Sequence, residues 1–329
     1  MPDRNEELRV ARAAVRAAAR VCRAVQQTRI DADTIEKKDK SPVTVADFAA
    51  QSIVCHGIQL AFPADLVVGE ENADELRTDA QASARKAVVE HVCGELGSSV
   101  PADRVLGWID RGGAAGDTER YWTLDPIDGT KGFLRGDQYA VALGLIENGE
   151  VVLGLLGCPN LPTPDGGRGA LFSGVAGGEA RSYALWDETD EAGTPVSVAR
   201  VASPADARFC ESVESGHSNQ SDSAKIAGLL GITAEPHRID SQCKYAAVAR
   251  GDASIYLRMP TRADYREKIW DHAAGKVVVE AAGGTVSDVF GRPLDFAHGR
   301  ILENNRGIVA TSGAIHEEVV AAVRKVRGE

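Results

Sequence analysis

The run Tyr121-Trp122-Thr123-Leu124-Asp125-Pro126-Ile127-Asp128-Gly129-Thr130 constrains this chain more than any other stretch. Tyr121 to Asp125 reads as a short buried strand ending in acid. Beyond it stand two carboxylates three residues apart, with Pro126 stiffening the backbone between them and Gly129 permitting a sharp turn. Side chains so placed can aim at one cation, with the Ile127 carbonyl between them. Oxygen donors of this kind suit a hard cation such as Mg²⁺, whereas zinc would recruit His or Cys. After Gly129 the chain can enter a helix whose first N–H groups favour a phosphate. The alternative is a plain turn in which the Asp side chains cap nearby amides.

A second run, Ala64-Asp65-Leu66-Val67-Val68-Gly69-Glu70, repeats the design of a short strand closing on acid. Two such strands need a sheet to join, and the rest of the chain supplies helices to cover it. Leu8, Ala11, Val15, Ala18, Cys22 and Val25 form the apolar stripe of an amphipathic helix. A second helix is expected from Thr44 to about Phe62 and a third over 82–96, followed by a loop-rich stretch to Arg120. Within that stretch the Gly-Gly-Ala-Ala-Gly run at 112–116 is expected to be a mobile loop. Strands near 140–147 and 151–157 are joined by Asn148-Gly149, a strong hairpin signal. Pro and Gly crowd 160–178, Trp186 to Gly193 reads as an exposed acidic loop, and a lobe boundary is expected within 180–205. A strand near 207–211, a helix near 221–230 and a C-terminal helix from about Ala314 complete the pattern. The fold class is α/β (α+β), layered, with an N-terminal lobe over 1–199 and a C-terminal lobe over 200–329.

The length of 329 residues suits one large or two intimate domains. A net charge of −11 without a basic stripe argues against nucleic acid as a partner. No uncharged apolar run reaches the roughly 18 residues of a membrane span, so no membrane partner is expected. The six Cys form no CxxC pair, which favours free thiols in a reducing, cytoplasmic setting. An Ala- and Arg-rich start would suit organellar targeting, but Asp3, Glu6 and Glu7 fit that reading poorly.

Other acids each have a structural explanation. Glu70-Glu71 can be solvated, Thr44 and Asp47 can make a capping box, and Asp271 can be the N-cap of the helix bearing Ala274, Val277, Val278 and Ala281. Lys244 and Arg258 can be surface cations and His217 a loop histidine.

Taken together, Asp47, Glu70-Glu71, the 125–130 run, and Trp270-Asp271 followed by Gly283-Gly284 resemble the lithium-sensitive, magnesium-dependent phosphomonoesterases of the inositol monophosphatase superfamily. The runs Ser41 to Asp47, Lys131 to Tyr139 and Asp240-Ser241-Gln242-Cys243-Lys244-Tyr245 look like its plant and fungal 3′(2′),5′-bisphosphate nucleotidases. The resemblance implies the layered αβαβα sandwich of that superfamily. It implies two or three Mg²⁺ ions on Glu70, Asp125, the Ile127 carbonyl, Asp128 and Asp271, with Glu71 an outer acid only. Asp47 and Thr130 would orient the attacking water and accept its proton. Substrate would meet Thr130, His217, Ser241, Lys244, Arg258 and Asp271, with Lys and Arg holding a second, uncleaved phosphate. The implied activity is hydrolysis of the 3′-phosphate of adenosine 3′,5′-bisphosphate, and of its sulfated form, by a monomer acting on small molecules in sulfur metabolism. An inositol polyphosphate 1-phosphatase or inositol monophosphatase would use the same acids, and a non-catalytic nucleotide sensor is the reading from a different class.

Overall fold

The computed structural model describes residues 4–27, 34–36, 42–213, 220–260, 262 and 264–328. In chain order they form α1 (Asn5–Gln27), β1 (Thr34–Glu36), β2 (Pro42–Thr44), α2 (Val45–Ala61), β3 (Leu66–Gly69), α3 (Ala82–Leu96), α4 (Ala102–Asp110), β4 (Arg120–Asp128), α5 (Thr130–Arg135) and β5 (Ala140–Glu147). There follow β6 (Glu150–Pro162), β7 (Arg168–Val175), β8 (Ala180–Ala184), β9 (Thr194–Val196), β10 (Phe209–Glu211), α6 (Gln220–Leu230), β11 (His237–Arg238) and α7 (Cys243–Arg250). The last elements are β12 (Ile255–Arg258), α8 (Ala273–Ala281), β13 (Thr285–Ser287), β14 (Ile308–Thr311) and α9 (His316–Arg327).

A seven-stranded sheet runs β3-β4-β5-β6-β7-β8-β9, and a five-stranded sheet runs β11-β10-β12-β14-β13. Both faces of the larger sheet are covered, so its strands read as continuous apolar runs. Side chains on one face, Trp122, Leu124, Val141, Leu143, Leu153 and Leu155, pack with the apolar stripes of α1 and α2. Those on the other, Tyr121, Ala142, Leu156 and Phe172, pack with α7, α8 and the second sheet. A third core joins Ile255, Leu257 and Val309 to Val319 and Val323 of α9. The order is helices, sheet, helices, sheet, helices, as the resemblance implies. Glycine lets α8 lie directly on the large sheet: a Cβ at Gly154 or Gly174 would stand 2.7 Å from the Ala274 carbonyl oxygen or 2.6 Å from that of Val277.

The hairpin forms as expected, with Asn148 and Gly149 both at positive φ (51° and 79°). Other expectations are corrected. The stretch 97–120 holds a helix, α4, whose Val105, Leu106, Trp108 and Ile109 are buried. The Gly run is pinned to the sheet, Gly69 N–H donating to Gly112 O at 2.8 Å and Ala114 N–H to Val67 O at 3.2 Å. The Pro- and Gly-rich stretch from Asn160 contains the end of β6 and most of β7. The acidic 186–191 segment is a mainly exposed turn, as expected, and Arg20 and Glu188, 2.5 Å apart, clip it to α1. Among the described residues no helix is long and apolar enough to cross a membrane.

Candidate active site

Thr44 caps α2 in the expected box: Asp47 Oδ2 accepts from the Thr44 N–H at 2.8 Å and its hydroxyl at 2.7 Å, and Thr44 Oγ1 accepts from Ala46 N–H at 3.1 Å. The box fixes the Asp47 carboxylate, which is 1% exposed. One turn on, Gln51 is wholly buried and grips the segment that carries Glu70. Its Oε1 accepts from Glu71 N–H at 3.0 Å, and its Nε2 donates to Glu71 O at 2.7 Å and Ile109 O at 2.8 Å. Arg300 supports the same segment, donating to Gly69 O at 2.6 Å while lying over the Trp270 ring.

β3 ends at Gly69 and Glu70 follows it, but β4 runs on to Asp128, with a register shift against β5 between Asp125 and Asp128. Pro126 sits inside the shift, where the ladder asks no N–H of it. Asp125 Oδ1 accepts from the Ile127 N–H at 3.1 Å, and Thr130 donates its hydroxyl to Ile127 O at 3.3 Å, leaving that carbonyl a second lone pair. α5 follows from Thr130 but has only six residues.

Asp271 is not the helix cap that its sequence position suggests. It closes the single 3₁₀ turn Ile269–Asp271, and α8 begins at Ala273 without a side-chain cap bond. The carboxylate is thereby presented to the other acids. Burial raises the Asp125 carboxyl well above its usual range, with Glu70, Asp128, Asp271 and Asp47 each adding repulsion. Burial raises Asp128 too, against the pull of Lys244, Arg258 and a bond from Gln242 N–H, and Glu70 pushes it further up. Asp271 is pushed up to about 8, chiefly by burial, with Asp128, Glu70 and Glu267 opposing Arg258. Glu70, Asp125, Asp128 and Asp271, with Asp47 beside them, therefore share one electrostatic neighbourhood. Oxygen-only donors and closely gathered carboxylates fit hard divalent cations.

The cationic side comes from α7 and from β12 of the second sheet. Asp128 Oδ2 accepts from Gln242 N–H at 2.7 Å, which sets the 240–244 run against the 125–130 run. Ser241 holds a left-handed φ of 66°, and a Cβ on Gly129 (φ 90°) would lie 2.8 Å from its Cβ, so only glycine fits at 129. Buried Lys244 lies 5.2 Å from the Tyr256 ring centre, and burial lowers its pKa while Asp128 raises it. Arg258, at the end of β12, reaches Asp271 Oδ2 at 3.4 Å. His217 lies outside the described residues.

A likeness to known proteins accompanies this geometry. The model of the inositol monophosphatase family matches residues 3–327. This chain belongs to the inositol monophosphatase family. It is 47% identical over 318 residues to the 3′(2′),5′-bisphosphate nucleotidase of Emericella nidulans, covering 89% of this chain and 90% of the relative. It is 43% identical over 338 residues to that of Oryza sativa, covering 97% and 93%. The solved IMPase of Thermotoga maritima shares the fold at a TM-score of 0.66 and 21% identity, covering 98% of both chains.

Sequence reasoning passed over Gln51, Gln242, Glu267, His272 and Arg300. Three left a signal: Gln51 is a polar residue four after Asp47, set among the apolar Phe48, Ala49, Ala50, Ile53 and Val54, and Glu267 and His272 flank Trp270-Asp271. Potential ligand atoms of Glu267, Asp271 and His272 lie within 4.8 Å of one another. Glu267 and His272 are already engaged there, by Arg258 and Tyr245.

Proposed function

We propose that this chain is a Mg²⁺-dependent phosphomonoesterase that hydrolyses the 3′-phosphate of adenosine 3′,5′-bisphosphate to AMP and phosphate. The observation that carries the reading is the meeting of two walls: acids around Asp128, and the cations Lys244 and Arg258 beside them. The acids suit cations bound to the phosphate that is cleaved, and the basic wall suits a phosphate that is kept. The nucleotidase name of the curated relatives supports the same substrate class. We assign Glu70, Asp125, the Ile127 carbonyl, Asp128 and Asp271 to two or three Mg²⁺ ions. Bound there, the ions would acidify water and neutralise charge on the leaving oxygen.

The chain's own groups do the rest. Asp47, fixed by Thr44, and Thr130, fixed on Ile127 O, orient water in line with phosphorus, and the Asp47 carboxylate takes its proton. The bond from phosphorus to the ribose 3′ oxygen breaks, that oxygen takes a proton from solvent water, and Asp47 returns its proton to solvent, so the balance is one water consumed. Ser241, Lys244 and Arg258 hold the remaining nucleotide, with Arg258 forking its phosphate. Two facts support lobes at 1–199 and 200–329: the large sheet is drawn from residues 66–196 and the smaller from 209–311.

The test is phosphate release from adenosine 3′,5′-bisphosphate, inositol 1,4-bisphosphate and inositol 1-phosphate, with Mg²⁺, with chelator and with lithium. The nucleotide is expected to turn over fastest, only with Mg²⁺, with suppression by lithium and loss in Asp128→Asn. Preference for an inositol phosphate overturns the roles given to Ser241, Lys244 and Arg258. No turnover overturns the enzyme reading.

A further inference from the structure

Behind Arg258 stands a buried polar chain that the reaction does not itself require. Arg258 Nε donates to Glu267 Oε2 at 2.7 Å, and its Nη2 reaches Asp271 Oδ2 and the Tyr265 hydroxyl, each at 3.4 Å. The same Glu267 Oε2 lies 3.1 Å from His272 Nε2, and His272 Nδ1 lies 2.9 Å from the Tyr245 hydroxyl. Glu267 is 3% exposed and His272 fully enclosed. An ionised carboxylate only accepts, so Nε2 carries the proton facing Glu267, and Nδ1 accepts from the Tyr245 O–H. Tyr245 is itself locked: its ring meets Tyr256 edge-on at 5.0 Å, and a Cβ at Gly275 would fall 2.1 Å from it.

We propose that Glu267, backed by His272 and Tyr245, is a positioning residue that holds Arg258 for the uncleaved phosphate and keeps it from pairing fully with Asp271. The proposal rests on the function proposed above. Arg258 has two carboxylates to choose between, and they have different jobs. Glu267 is the nearer and is enclosed, so it takes the Nε edge and leaves the Nη edge towards the site. Asp271 stays available to a cation. Without the Glu267 charge, Asp271 is the nearest carboxylate to Arg258, and a tight pair there would remove one anion from the acidic wall and the guanidinium from the phosphate. A buried ion pair of this kind adds little net stability against an apolar replacement, so its effect belongs to geometry.

The test compares Glu267→Gln, Tyr245→Phe, Arg258→Ala and the Glu267→Gln/Arg258→Ala double variant in the full chain. Two quantities are read: kcat/KM for adenosine 3′,5′-bisphosphate relative to adenosine 3′-monophosphate, and calorimetric Mg²⁺ affinity without substrate. Glu267→Gln is expected to lower the substrate ratio about tenfold, through KM, and to weaken Mg²⁺ about tenfold. Because Glu267 acts through Arg258, the double variant should match Arg258→Ala in the ratio and recover Mg²⁺ affinity. Losses that simply add, or a ratio and affinity both untouched in Glu267→Gln, overturn the proposal. Should Glu267→Gln not fold, Tyr245→Phe decides: a fall of about threefold in the ratio supports the chain, and no fall overturns it. If Arg258→Ala leaves the ratio intact, the reading of Arg258 as a phosphate contact fails, and the Mg²⁺ arm still judges Glu267.

Discussion

The two ends of the β4–β5 strand pair place acids in opposite circumstances. At one end Arg120 faces Glu147 in register, and Arg4 Nη1 donates to Glu147 Oε1 at 2.7 Å. Asp65 and Glu7 complete the group around Arg120. The Glu147 carboxyl is held below its usual range, first by the Arg4 hydrogen bond and then by that of Arg120. At the other end Asp125 and Asp128 are raised, first by burial and for Asp125 next by Glu70. The first end cancels its charges within the protein and ties α1 to the sheet. The second keeps more negative charge than its neighbours balance, which is the condition for binding a cation. Position along a strand, not residue type, separates an anchor from a candidate cation site.

The sharpest way to break this contrast is by activity. Asp125→Asn is expected to lower phosphate release by at least about 10²-fold, while Glu147→Gln stays within about twofold. Equal losses in the two variants would abolish the distinction.

Next in size is the support behind the acidic end. Gln51→Leu leaves Glu71 N–H, Glu71 O and Ile109 O without their buried partner and should cost about 2–4 kcal/mol in urea unfolding. A change below about 0.5 kcal/mol would show that Gln51 does not hold this segment.

Smaller shifts of opposite sign should appear in thermal melts under chelator. Glu147→Ala is expected to lower Tm by about 2 °C, and Asp125→Asn to raise it by a similar amount through relief of repulsion. Two shifts of one sign would mean that the ends do not differ as described.

The least effect is in pH dependence. A depressed Glu147 pKa contributes stability that is present above the ordinary carboxylate value near about 4.3 and is lost as pH falls through the lower folded value. Glu147→Gln should flatten the acid limb of the Tm profile below that value, and an unchanged limb would remove Glu147 from the account.

Much of this could be read from local patterns. The α1 stripe, the Thr44–Asp47 box and the Asn148-Gly149 turn depend on contacts within a few residues, and they formed as read. Helix α4 was missed because it has two and a half turns, with Gly107 inside it and Pro101 and a Gly run at its borders. The 112–116 run looked free because its partners, Val67 and Gly69, lie more than forty residues away. Asp271 had the look of a cap, but capping is decided by where the helix starts, and the 3₁₀ turn moved that start to Ala273.

By itself the sequence determined α1, α2, the hairpin, the acidic motifs and, through the order of those motifs, the family. Backbone sterics, capping and side-chain periodicity act over three or four residues, so a linear reading reaches them. Only the tertiary structure decided which acids stand together and which cations face them. Asp128 meets Gln242 across 114 residues, and the half-buried Arg258 is divided between the enclosed Glu267 and Asp271. Coulombic and desolvation energies depend on distance and burial in space, and neither is written in the spacing of the chain.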